Sequence, residues 1–230
     1  MGRRYLVVDP GAALAENLAK VLGASAVVEG VARREQALEL VRDVRFDAAV
    51  IHIRTGALLL SELRRIARGL PAVMVSSSAN DPVVVEVARQ GVMGVFGEPV
   101  DVARLARLLG WARHHGVIAL VEDDEAVAEA LAEALRERGF SPVTAHSVAE
   151  VKWLVMAMPF AAVVDVRLPG GSDGEALRQL AAQHPHLPVM AMSGHDEALH
   201  KQSAARYFRK PFRTPDLLDA VEQFHEAQRL

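Results

Sequence analysis

The chain has 230 residues and a net charge of −3, so it holds one large domain or two ordinary ones and carries no basic field of the kind nucleic acids attract. It has no cysteine, which excludes disulfides and thiolate-bound metals. The opening MGRRYLVVDPG is too short an apolar run for a signal peptide, and no uncharged stretch approaches a membrane span, so a cytoplasmic protein with no membrane attachment is expected.

In chain order, short β-rich runs alternate with amphipathic segments. Strands are expected at YLVV (5–8), AVV (26–28), AAVIHI (48–53), AVMVS (72–76) and GVF (94–96). Helical spacing fills the intervals in ALAENLAKVL, REQALELVRDV, LLLSELRRIA and PVVVEVARQ. A last helix over 102–115 is expected to stop at Gly116, a residue suited to a helix C-terminus. From Val117 the order restarts with VIALV, PVTA, AAVVDV, PVMAM and RYF, interleaved with AVAEALAEALRER, VAEVKWLVMA, DGEALRQLAAQ and TPDLLDAVEQFHEA. Such alternation predicts βαβ units and a parallel sheet covered on both faces.

The two halves are copies. Asp9 and Glu122, His52 and Asp165, Ser76 and Ser193, and Glu98 and Lys210 stand at matched strand ends, 113, 113, 117 and 112 residues apart. The boundaries follow as 1–115 and 116–230. No Pro- or Ser-rich linker separates them, so a fixed relation between the halves is expected.

Ligands of parallel α/β sheets bind beyond the carboxyl ends of the strands. In the second half those ends carry Glu122-Asp123-Asp124, Asp165, Ser193 and Lys210-Pro211. Carboxylates gathered there repel one another unless a cation sits among them, and oxygen ligands without cysteine favour Mg²⁺. A metal-bound Asp can serve as a nucleophile and form an acyl phosphate, while a lysine and a hydroxyl bind the phosphoryl oxygens.

The motifs LVEDD, VVDVRLPGGSDG, MSG and RKPF together resemble a receiver domain of a bacterial two-component response regulator, over about residues 117–230. The resemblance implies two tandem flavodoxin-like (βα)₅ doubly wound domains, each with a five-stranded parallel sheet. It implies that Asp165 accepts a phosphoryl group from a histidine kinase or histidine phosphotransfer protein. Glu122 and Asp123 would be the acidic pair. Asp123, Asp165 and the backbone carbonyl of Arg167 would hold Mg²⁺, Ser193 and Lys210 would bond the phosphoryl oxygens, and Tyr207 would be the switch aromatic. Arg167 and His195 occupy positions that tune acyl-phosphate lifetime in the family. The second half departs from the pattern in two places. The loop after Asp165 is one residue longer, and Ser193 to Lys210 spans 17 residues against 22 from Ser76 to Glu98, which shortens the helix between.

The first half resembles the same family over about residues 3–114 but lacks its chemistry. It keeps Asp9 and Ser76. Pro10 stands where the metal-ligating Asp belongs, His52 where the phosphoacceptor belongs, Glu98 at the lysine position and Val95 at the switch aromatic. This reads as a pseudo-receiver, with Mg²⁺ confined to the C-terminal domain. His52 is expected to bridge Asp9 and Glu98 and to be held as imidazolium by them; a metal site at these three residues is the alternative. Val83, Val84, Val85 and Val87 form a stripe that is core or, where exposed, a docking surface.

The expectation is thus a signalling protein and not an enzyme, beyond slow self-phosphorylation and dephosphorylation at Asp165. Its output would be phosphorylation-dependent binding of a downstream protein, with a homodimer possible and no direct nucleic-acid contact. A relay intermediate or phosphate sink, an Asp-nucleophile phosphatase and a phosphorylation-independent scaffold are the rivals.

Overall fold

The computed structural model describes residues 2–56, 58–78, 91–154, 157–194 and 204–228, without the side chain of Trp153. They form two compact units, Met1–Gly116 with Gly139–Ser141, and Val117–Arg138 with Pro142–Leu230. The helix expected over 82–90, with its valine stripe, and the shortened helix of the second half, with His195, lie outside the described residues.

The first unit has strands β1 (Arg3–Val8), β2 (Ala26–Val31), β3 (Ala48–His52), β4 (Ala72–Ser76) and β5 (Gly94–Gly97). Its helices are α1 (Ala13–Leu22), α2 (Arg34–Asp43), α3 (Leu59–Ile66) and α4 (Val102–Trp111). The second has strands β6 (Val117–Val121), β7 (Ser141–Ala145), β8 (Ala161–Asp165), β9 (Val189–Ser193) and β10 (Arg206–Arg209). Its helices are α5 (Glu125–Glu137), α6 (Val151–Leu154), α7 (Glu175–Gln183) and α8 (Thr214–Ala227).

Each sheet has five strands, in the orders β2-β1-β3-β4-β5 and β7-β6-β8-β9-β10. This is the doubly wound flavodoxin-like order, and the registered pairs are parallel. The repeat inferred from matched strand ends is therefore a repeat of topology.

Burial explains the strand sequences. β3, β4, β6, β8 and β9 are buried at every residue, so they read as continuous apolar runs and not as alternating ones. The edge strands β2 and β10 admit polar residues. One core of the first unit gathers Leu6, Val8, Ile51, Leu60 and Met74, and the other gathers Tyr5, Val50, Val73, Leu105 and Leu109. A core of the second unit joins Val117, Ala119, Val121, Val164 and Ala191 of the sheet to Leu177 and Leu180 of α7. In the first unit, Gly30 of β2 lets α1 pack close: a Cβ there would lie 2.7 Å from the Ala15 Cβ. Among the described residues, no helix is long and apolar enough to cross a membrane.

Helix α4 corrects one expectation. It ends at Trp111, four residues before the run its periodicity suggested. Ala112 leaves helical geometry, Gly116 N donates to Arg113 O, and His115 takes a positive φ with its Nδ1 against Arg68 O. The chain thus leaves the helix at Ala112, before Gly116 is reached.

Arg64 is unforeseen. It sits on α3 at 1% exposure, with Nε donating to Leu70 O (3.1 Å) and Nη2 to Gly91 O (2.6 Å). Burial pushes its guanidinium down to about 9, which leaves it charged at neutral pH. It ties the approach to β4 to the approach to β5. Replacing it by methionine keeps the bulk but strands those carbonyls, so Arg64→Met should lower unfolding stability by about 2 kcal/mol in urea melts.

Candidate functional site

Strand β8 delivers Asp165 to the carboxyl edge of the second sheet, β6 delivers Glu122 and Asp123 just beyond it, and β9 delivers Ser193. The strands are central and wholly buried, so their ends are fixed by packing on both faces. Lys210 follows β10, and its amide donates to Ser193 O (2.7 Å), which sets the lysine beside these ends.

The lysine closes the site. Its Nζ donates to Glu122 Oε2 at 2.7 Å and to Asp165 Oδ2 at 2.6 Å. Glu122 is 2% exposed and Asp165 7%. Arg167 N donates to Asp165 Oδ1 (3.0 Å), and Asp124 N approaches Glu122 Oε1 (3.4 Å). Burial pulls the Lys210 ammonium down, but the hydrogen bonds and charges of Asp165 and Glu122 outweigh it and leave it above the ordinary lysine range. Burial pushes the Glu122 carboxyl up; the Lys210 hydrogen bond opposes this and the Asp165 charge adds to it. Two carboxylates sharing one ammonium remain short of positive charge.

That shortage fits a divalent cation. One carboxylate oxygen from each of Glu122, Asp123 and Asp165 lies within 4.8 Å of the others. Three hard oxygen donors, two buried and one exposed, suit Mg²⁺. Arg167 is held at the pocket by its amide, while its side chain turns to Asp173 (Nε to Oδ2, 3.7 Å). Ser193 is 4% exposed at the end of β9. Tyr207, on β10, packs against the core with its hydroxyl out of solvent.

Two details were not foreseen. Asp124 is no pocket acid: it caps α5, accepting from Ala126 N (2.9 Å) and Val127 N (3.1 Å). Its place directly before a helical run was the signal. His146, past the end of β7, has Nδ1 at 2.8 Å from Glu122 O and its amide on Glu150 Oε2. The carboxyl-end rule applied to the second strand would have found it.

The first unit keeps this backbone and exchanges the chemistry. Arg54 N donates to His52 Nδ1 (3.1 Å) as Arg167 N does to Asp165 Oδ1. Gly11 N donates to Asp9 Oδ1 (3.1 Å), and Glu98 N to Ser76 O (3.0 Å), again as in the second unit. Both Glu98-Pro99 and Lys210-Pro211 are cis. An imidazole nitrogen thus replaces one carboxylate oxygen.

The expected bridge through His52 is corrected. His52 is fully buried, its Nε2 is 3.5 Å from Glu98 Oε1, and Asp9 uses its carboxylate on Gly11 N. Among the described residues, no ion pair joins Asp9 to His52. Because Nδ1 accepts a backbone N–H, the geometry is that of the neutral imidazole protonated on Nε2, not of imidazolium. A long-range ¹H–¹⁵N NMR spectrum at neutral pH should show a bare Nδ1 and a protonated Nε2; a proton on Nδ1 would contradict this geometry. Nor do Asp9, His52 and Glu98 form a metal-ready group among the described residues. Ser76 Oγ donates to Ser78 O (2.8 Å), Pro10 is exposed, and Val95 is 36% exposed.

Comparisons with known proteins bear on both units. The family model described as response regulator receiver domain matches residues 118–222. A response regulator receiver protein of Anaeromyxobacter sp. (strain Fw109-5) is 43% identical over 228 residues, covering 97% of this chain and 95% of that protein. The DNA-binding transcriptional regulator NtrC of Escherichia coli (strain K12) is 31% identical over 114 residues, 47% of this chain and 24% of that protein. A solution structure of the NtrC receiver domain, 27% identical, covers 50% of this chain and 98% of that one at a TM-score of 0.46.

Proposed function

The chain belongs to the response regulator receiver family of two-component signalling proteins, and from that membership we propose that it is switched by phosphorylation at Asp165 alone. The observation that carries this reading is the Lys210 ammonium bonded at once to Asp165 and Glu122. Among the described residues, no equivalent cation stands at His52, whose partner is the Glu98 carboxylate.

In the proposed reaction an Asp165 carboxylate oxygen attacks the phosphorus of a phosphohistidine on a kinase or phosphotransfer protein. A P–O bond forms, the P–N bond breaks, and the imidazole leaves with a proton. Arg167 N and Lys210 hold the carboxylate in place, and Lys210 and Ser193 receive the phosphoryl oxygens. Glu122, Asp123 and Asp165 would hold Mg²⁺, which when bound supplies positive charge against the developing phosphoryl charge. Metal binding is assigned to the second domain, where these three carboxylates converge, while Pro10 and His52 stand at the matching positions of the first. The chain is no enzyme beyond slow reaction with small acyl phosphates and slow hydrolysis of its own.

The first domain is then a pseudo-receiver, a constant binding surface beside a switched one. Output is a change in the affinity of a protein partner, drawn from the populations of two receiver conformations. Phosphotransfer from a phosphohistidine donor tests the acceptor, and binding of cell proteins to the phosphorylated and Asp165→Ala chains tests the output. A short-lived acyl phosphate with no state-dependent partner would make the protein a relay or phosphate sink instead.

A further inference from the structure

The first unit has a second cleft, at the opposite end of its sheet from the degenerate pocket. It opens at the amino ends of β3 and β4, has a volume of about 340 Å³, and has a floor that includes Val41, Phe46 and Leu70. All three floor residues are buried core. Arg42, Arg45 and Arg68 line it, with His115 beside them. Its volume is in the range of small-molecule sites.

The charge of this cleft is not internally answered. Among the described residues, Arg42, Arg45 and Arg68 enter no salt bridge, whereas Arg4, Arg34 and Arg65 of the same unit each meet a glutamate. The C-termini of α2 and α3 also point here, and helix dipoles place roughly half a negative charge at each. Three guanidinium groups exceed that by about two unit charges. Burial lowers the pKa of His115, the carbonyl of Arg68 opposes this, and the Arg45 charge adds to the lowering, so the imidazole lies in the same positive field.

The fold does not demand the arginines. At the offsets that align β3 with β8 and β4 with β9, the second copy has Val155, Met158 and Pro185 in place of Arg42, Arg45 and Arg68. The copy that lost its acidic pocket is the copy with a cationic cleft. Guanidinium groups bind phosphate through paired, geometrically matched donors, and the apolar floor suits a flat organic body.

We propose that this cleft binds a nucleoside monophosphate or a molecule of the same build, with its phosphate on Arg42, Arg45 and Arg68 and its ring on Phe46 and Leu70. The site would give the pseudo-receiver an input of its own, separate from Asp165. The proposal does not rest on phosphorylation at Asp165.

The test is a titration of the full chain with AMP, adenosine and inorganic phosphate in parallel, at physiological salt, followed by NMR and calorimetry. The expected result is saturable AMP binding, with shifts centred on Arg45, Phe46, Arg68 and His115. Arg45→Glu and Arg68→Glu should each weaken it by about tenfold, a loss of about 1.4 kcal/mol. Both variants should keep the wild-type NMR spectrum of the first unit outside the cleft, which verifies their folding, and should keep acetyl-phosphate labelling of Asp165. AMP binding no tighter than that of adenosine or phosphate, unchanged in the variants, or mapped elsewhere would overturn the proposal.

Discussion

Incubation with acetyl phosphate and Mg²⁺ should add one phosphoryl group to the wild-type chain, and none to Asp165→Ala. Intact-mass spectrometry reads this directly. The expectation of a single addition follows from the two pockets side by side. Asp165 presents two carboxylate oxygens, one on Arg167 N and one on Lys210 Nζ, with Glu122 and Asp123 near enough to share a cation. His52 presents a nitrogen already committed to Arg54 N and another facing Glu98 from a fully buried ring. A phosphoryl dianion placed there would meet a carboxylate where Asp165 offers it an ammonium. Loss of labelling in Asp165→Ala with His52→Ala unaffected is therefore the expected pattern. Labelling that survives in Asp165→Ala would remove the acceptor role from this residue. No labelling of the wild type would leave a receiver fold that works by binding alone.

The site was legible where a titratable residue ended an apolar strand. Asp165 closes a run buried at every position, and such a residue has no core role to explain it. The fold was legible for a related reason, since strands buried on both faces must be apolar throughout and helices between them amphipathic. What escaped has physical causes too. Arg64 looked like an ordinary charged position on α3 because its partners are backbone carbonyls, one of them 27 residues away, and sequence does not mark a carbonyl. Asp124 looked like a third pocket acid because a carboxylate beside a strand end and a carboxylate before a helix are the same residue type; only the amides of Ala126 and Val127 decide its use. His52 was assigned a distant carboxylate when a local amide was nearer. The i+2 amides at Asp9, His52 and Asp165 belong to the turn, and they take the first lone pair offered in either copy.

That shared backbone shows how one fold can hold two pockets of different chemistry. The turn geometry tolerates Asp or His at the strand end because each supplies an acceptor to the same amide. The position after the last strand tolerates Lys or Glu because its amide bonds to the β4 or β9 terminal carbonyl in either case. The exchange of these side chains has thus left the fold's own hydrogen bonds in place.

Replacing Lys210 by methionine should expose how much the reactive pocket depends on charge balance. Glu122 and Asp165 would then face each other, buried, with no cation between them. In the absence of metal at neutral pH, the second domain should lose about 3 kcal/mol of stability, toward the low end of the range for breaking a buried pair because the lysine is partly exposed. The pH dependence has a definite sign. In the wild type the raised Lys210 pKa contributes stability that is fully present at neutral pH and is lost only as pH rises beyond the ordinary lysine range. In the variant the stranded carboxyls, already inclined upward at Glu122 by burial, should bind a proton more readily folded than unfolded. Its stability should therefore recover as pH falls and decline as pH rises through the carboxyl pKa. Mg²⁺ should restore it at neutral pH by mass action, by about 2.7 kcal/mol at a hundredfold excess over the dissociation constant. Adding Glu122→Gln should also relieve the loss, since one of the two facing charges is gone, and that non-additivity assigns the cost to repulsion and not to lost packing. Equal stability of Lys210→Met and wild type at neutral pH without metal would show that water, not the lysine, balances the carboxylates.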